Sequence, residues 1–160
     1  MKALKIIIPA VVVIVIVGIW FLVRSPSGKQ MAALSQMIYT GDVRGLDEFL
    51  TRYPSLANAK NVDNEEKGWT PLHMAAYVGN PAIIKVLLDH HAKTEERDNR
   101  GLTPLLWTVF VGKPAAAAAL LSGGADINAK GRDGRTTLEQ AKITLNQEMI
   151  TLLRERGAKE

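Results

Sequence analysis

Two hydrophobic patterns divide the chain. From Ile6 to Val23, eighteen consecutive residues carry no charge, and nearly all are Ile, Val, Leu, Trp or Phe. Beyond residue 30 the apolar positions become intermittent, forming short helical stripes separated by Gly, Pro, Asn and charged residues. This second pattern repeats. Gly68-Trp69-Thr70-Pro71-Leu72-His73 returns as Gly101-Leu102-Thr103-Pro104-Leu105-Leu106 and, eroded, as Gly134-Arg135-Thr136-Thr137-Leu138-Glu139, 33 residues on each time. Gly79 corresponds to Gly112, Leu87-Leu88 to Leu120-Leu121, and His91-Ala92 to Gly124-Ala125 and Gly157-Ala158. A fixed period of this length predicts stacked supersecondary units in place of one closed core.

Local chemistry predicts each unit as turn, helix, Gly, helix, stop. Thr70 and Thr103 are helix N-caps, and Pro71 and Pro104 follow at the first helical position, where a missing N–H costs nothing. Gly79 ends one helix, Asn80 caps the next and Pro81 starts it; Gly112-Lys113-Pro114 repeats that junction. In the last unit Thr136 and Glu139 have the spacing of a capping box. Arg154 stands where interior units carry Leu88 and Leu121, and Leu145 stands where they carry glycine. A charged outer position fits an end unit with no neighbour beyond it. His91 falls at a helix stop, where a positive φ is required; His tolerates one better than most residues.

These residues resemble the ankyrin repeat family, with its G-x-T-P-L-H-x-A-A turn and helix followed by G-x-x-x-(V/I)-x-x-L-L-x-x-G-A. The match is close from Gly68 to Ala92, good from Gly101 to Asn128 and partial from Gly134 to Ala158. A weaker first unit lies at Met31 to Ala59, with five extra residues in the connection that follows it. The resemblance implies an all-α solenoid over residues 30–160, with repeats near 31–63, 64–97, 98–130 and 131–160. It assigns Thr70, Pro71, Leu72, His73, Thr103, Pro104 and Leu105 to building the stack, His73 by bracing the turn. It also implies a protein partner on the concave side, along hairpin tips and one face of the first helices. Carried over, that selects Glu66, Lys67, Trp69, Tyr77 and Val78 in unit two. Unit three contributes Asn99, Arg100, Leu102, Phe110 and Val111; Arg132, Asp133 and Arg135 hold the tip slots of unit four. Trp69, Leu102, Tyr77 and Phe110 would then form an apolar strip facing water, of the composition found at binding hot spots. The competing expectation is that they pack between neighbouring units.

The amino terminus follows other rules. At helical rise the run 6–23 spans about 27 Å, close to the hydrocarbon thickness of a bilayer. It predicts a single transmembrane helix, a signal anchor, after a short basic segment 1–5. Trp20 lies near its far end, where interfacial aromatics concentrate. A cleaved secretory signal is the alternative, but its apolar region would be shorter and Ser25-Pro26-Ser27 is a poor cleavage site. Lys2 and Lys5 against Arg24 and Lys29 lean the orientation toward a cytoplasmic amino end and an extracytoplasmic, possibly periplasmic, repeat domain. The opposite topology stays open. Residues 24–29 form a connector reaching about 20 Å, so the repeats lie near the membrane.

Composition narrows the chemistry. The formal charge of +4 falls to +1 once Lys2, Lys5 and Arg24 are set aside, leaving 17 basic and 16 acidic side chains in residues 28–160. That balance does not point to nucleic acid. Acidic Asp63, Glu65 and Glu66 precede unit two, whereas Lys130, Arg132 and Arg135 gather at unit four, a dipolar rim able to orient a partner. With no cysteine there is no disulfide or thiolate metal site. His90 and His91 are adjacent and lack the i, i+4 spacing of a helical metal pair. No nucleophile elbow, zinc-protease helix or phosphate-cradling loop is present. Neither a catalytic residue, a cofactor, a metal nor a small-molecule substrate is therefore expected. The functional expectation is a membrane-anchored protein–protein interaction module whose partner is membrane-associated or shares its compartment. The alternative is an accessory factor that protects or activates an enzyme there.

Overall fold

The computed structural model describes residues 28–60 and 68–159. Among them, eight α-helices form four antiparallel pairs. α1 (Gly28–Thr40) pairs with α2 (Val43–Arg52), which a 3-10 turn at Pro54–Asn58 follows. α3 (Pro71–Val78) pairs with α4 (Pro81–Asp89), α5 (Pro104–Val111) with α6 (Pro114–Ser122), and α7 (Thr137–Ile143) with α8 (Gln147–Glu155). The first helices α1, α3, α5 and α7 pack side by side in an inner row, and α2, α4, α6 and α8 form the outer row. Between the rows runs one continuous core that includes Leu34, Leu46, Leu72, Ile83, Leu87, Leu105, Leu120, Leu138 and Leu153. No strand forms among the described residues; one isolated antiparallel bridge joins Lys130 and Thr136.

The helix limits follow the chemistry read from the sequence. Asn80 accepts from the N–H groups of Ala82 and Ile83 at 3.0 and 3.3 Å, and Asn146 accepts from Met149 N–H at 2.9 Å. Lys113 makes no side-chain cap, so α6 starts on Pro114 alone. Each inner helix stops in a left-handed residue, at φ +84° for Gly79 and +68° for Gly112. Leu145 takes the same conformation at +53° despite its Cβ. His91 occupies the outer stop at +60°, equivalent to Gly124 and Gly157. The same six-to-one hydrogen bond closes these ends, from Ala92 to Leu87, Ala125 to Leu120 and Ala158 to Leu153.

Neighbouring units are also tied through the backbone. The N–H groups of Lys93, Asp126 and Lys159 donate to side-chain oxygens of Asn58, Glu95 and Asn128 in the preceding unit, at 2.8, 3.0 and 3.0 Å. Arg154, at the equivalent position of unit four, is exposed, whereas half-buried Leu88 packs on Gly123 of the next unit. α1 begins at Gly28, so Gly28 and Lys29 of the expected connector are already helical. The basic segment 1–5, the apolar run 6–23 and connector residues 24–27 lie outside the described residues. Among the described residues, no helix is long and apolar enough to cross a membrane.

Candidate functional site

The turn that begins each interior unit sets the geometry of the inner face. Thr70 and Thr103 are extended at ψ 166° and 164°, and the following Pro opens a helix. The Thr103 hydroxyl accepts from Leu106 N–H at 3.4 Å. In unit two the brace is His73. Its Nε2 lies 3.0 Å from the Leu102 carbonyl, which can only accept, so Nε2 carries the proton. Nδ1 then accepts from Thr70 N–H at 3.2 Å and lies 2.9 Å from the Thr70 hydroxyl. The ring therefore joins its own turn to the next unit. Burial pushes its pKa below 6.5, which keeps it neutral. Unit four replaces this brace with the expected capping box. Thr136 N–H donates to Glu139 Oε2 at 2.7 Å, and Glu139 N–H donates to the Thr136 hydroxyl at 3.2 Å.

The expected strip of exposed apolar residues divides in two. Tyr77 and Phe110 are 45% and 47% exposed, but Trp69 and Leu102 are only 5% and 8% exposed. The correction has a simple cause: the slot after the tip glycine faces the next unit, which covers it. Trp69 meets Trp107 edge to face at 4.9 Å and Tyr77 at 5.4 Å, while Tyr77 and Phe110 lie 5.9 and 6.3 Å from Trp107. Arranged aromatic pairs contribute about 0.5–1.5 kcal/mol each beyond their burial. The two indoles thus form a platform on which the exposed rings rest. Trp107 is fixed in turn by its Nε1–H, which donates to Asp98 Oδ2 at 2.9 Å. Asp98 Oδ1 accepts from the N–H groups of Arg100 and Leu102, so one buried carboxylate holds tip and platform together.

Other predicted residues fall where the register put them. Asn99, Arg100, Arg132 and Arg135 are exposed at the tips, and Val78 and Val111 pack partly against the core. Arg100 lies 5.6 Å over the Trp107 ring, while Arg135 pairs with Asp133 at 3.0 Å. Glu66 and Lys67, with Asp63 and Glu65 of the expected acidic rim, lie outside the described residues. No group of three or more His, Asp or Glu among the described residues could hold a metal ion.

Two members of the exposed row escaped sequence reasoning. Tyr77 and Phe110 are 33 residues apart, and the same step reaches Ile143, 55% exposed. Going back by the longer first step reaches Tyr39, 53% exposed. All four units thus present a large apolar side chain two residues before the inner-helix stop. The 33-residue register contained that signal, but neither Tyr39 nor Ile143 lies in a recognisable motif.

Comparison with known families agrees with this architecture. A family model described as ankyrin repeats, in three copies, matches residues 34–131. The chain belongs to the ankyrin repeat family. The ankyrin match runs from within α1 to the end of the third unit, at residue 131; the pair α7 and α8 continues the same geometry beyond it. Ankyrin repeats suggest a protein–protein interaction module, which makes a protein the class of partner for this chain. No curated protein gives a significant match to the sequence.

Proposed function

We propose that the protein is a membrane-anchored ankyrin module that captures a partner protein on its inner face. The observation that carries the reading is the row Tyr39, Tyr77, Phe110 and Ile143, exposed in all four units. A monomer gains nothing by leaving four large apolar groups in register in water, whereas an aligned apolar strip is a binding surface. Inner helices pack about 8–10 Å apart, so the strip is about 25–30 Å long, enough to seat a partner helix or extended segment. The apolar run 6–23 is the proposed anchor, with its amino end in the cytoplasm and the repeats on the other side. The short connector then holds the strip near the bilayer, beside partners that share the membrane or compartment.

Crosslinking in native membranes followed by mass spectrometry tests the capture. Tyr77→Ala with Phe110→Ala should abolish the principal crosslinked protein while leaving the helical circular dichroism unchanged. Undiminished capture by that folded double variant would remove the strip from consideration. Protease protection on the same membranes tests the topology, since an extracytoplasmic domain is digested only when protease reaches that side.

A further inference from the structure

A cavity of about 260 Å³ opens between the tips of units three and four, beside the exposed row. Its floor is apolar and aromatic, made by Leu102, Leu106, Trp107 and Phe110. Enclosed small-molecule sites usually occupy about 300–1,000 Å³, so this volume suits a single large side chain better than a cofactor. Gln140 on α7 also lines it and is only 7% exposed. Its side-chain amide has no hydrogen-bond partner in the described protein, yet none of its polar atoms is sealed from solvent. A nearly buried amide that opens onto a cavity is short of one acceptor and one donor.

The rim is positive. Arg100, Arg132 and Arg135 line the opening, against one carboxylate, Asp133, which Arg135 already engages at 3.0 Å. Among the described residues neither Arg100 nor Arg132 has an ion-pair partner. Arg100 is steadied over Trp107, and the stem of Arg132 packs so close to Gly101 that a Cβ there would come within 3.3 Å. Two guanidinium groups are therefore positioned without a carboxylate to meet among the described residues.

We propose that this cavity is the specificity pocket of the inner face, taking one large apolar side chain from an acidic segment of the partner protein. The inference rests on the inner-face reading above and adds the chemistry of the segment. The apolar side chain fills the floor against Trp107 and Phe110. Carboxylates flanking it meet Arg100 and Arg132, and the amide of Gln140 pairs with the segment's backbone. Complementary charge at the rim sets register and encounter rate, and the filled floor sets lifetime.

The probe is a displayed library of random twelve-residue peptides, panned on the full 160-residue chain in detergent micelles. Enriched peptides should carry a Phe, Leu, Trp or Met with Asp or Glu within a few residues on either side. A synthetic enriched peptide should lose about tenfold or more in affinity on Arg100→Glu with Arg132→Glu, both exposed, with an unchanged helical circular dichroism showing that the variant is folded. It should lose about fivefold on Gln140→Met, which keeps the volume and removes the amide. Raising salt should weaken the parent and leave the charge-reversed variant nearly unaffected. Enriched peptides without acidic residues, or equal binding by the charge-reversed variant, would overturn the proposal and leave the inner-face reading standing. The same holds for a panning that enriches nothing, because that reading is decided separately by the native-membrane crosslink.

Discussion

The slot after the tip glycine is filled by Trp69 in unit two and by Arg135 in unit four. The first is almost completely buried and the second is exposed. The register is the same; what differs is the neighbour. Unit three lies over Trp69 and supplies Trp107 as its stacking partner, whereas Arg135 belongs to the last helix pair and lies at the mouth of a cavity. In a stack of this kind a position takes its role from whether a neighbouring unit covers it. Trp69 is thus an internal joint, and its equivalent in unit four becomes part of a rim. Trp69→Ala should cost about 3–5 kcal/mol in urea unfolding, as large-to-small changes in a packed core do. Arg135→Ala should stay within about 0.5 kcal/mol, as exposed substitutions do. Equal costs at the two sites would break the comparison.

A second contrast lies in how the two turns are braced. His73→Leu removes one of the two donors to the Leu102 carbonyl, which keeps the Asp98 N–H at 3.0 Å, and leaves the buried Thr70 N–H without its acceptor; it should cost about 1–3 kcal/mol. The two braces also respond to acid in different ranges. Burial sets the His73 pKa below 6.5, so the unfolded chain binds more protons as the pH drops below that value. Its contribution is complete above pH 6.5 and is lost as the pH falls through the folded value. Glu139 is held below 4.5, chiefly by the Thr136 N–H it accepts, and its contribution is lost only as the pH falls from 4.5 through its own folded value. Urea midpoints taken from about pH 7.5 to about pH 3.5 should fall in two stages. His73→Leu should erase the first stage and spare the second. A parent curve that is flat until the carboxylates titrate would contradict the neutral, buried imidazole.

What the sequence made legible was the register. Thr-Pro, the left-handed glycines and the Leu pairs recur because each solves a backbone problem inside its own unit, and such solutions leave local marks. The fate of Trp69 and Leu102 was not legible, because their burial depends on the unit that comes next. Family register also drew attention to the variable tip slot, although two of its three described members face inward. Tyr39 and Ile143 were hidden for the opposite reason: an exposed apolar residue has no local partner to leave a pattern. Asp98 and Gln140 take their roles only in the folded chain. Asp98 joins three N–H groups from different parts of the unit, and the open amide of Gln140 is visible only once the cavity exists.

A smaller effect than those at Trp69 and His73 concerns the inner-helix stop, where Gly79 and Gly112 give way to Leu145. A residue with a Cβ in the left-handed region carries about 1–2 kcal/mol of strain. Leu145 gains little packing in return, since it is 78% exposed. Leu145→Gly relieves that strain but gives the unfolded chain more freedom, which offsets about 0.4–1 kcal/mol. The net should be a stabilisation of under about 1 kcal/mol, or a rise of a few degrees in melting temperature. The reverse change in unit three, Gly112→Leu, should destabilise. There a Cβ would come within 3.1 Å of Asn146 Nδ2, on the side chain that caps α8. Opposite signs at equivalent positions would show that the last unit tolerates a strained leucine that an interior unit does not. Destabilisation by Leu145→Gly would instead mean that the exposed leucine supports the end of the stack through contacts stronger than its strain.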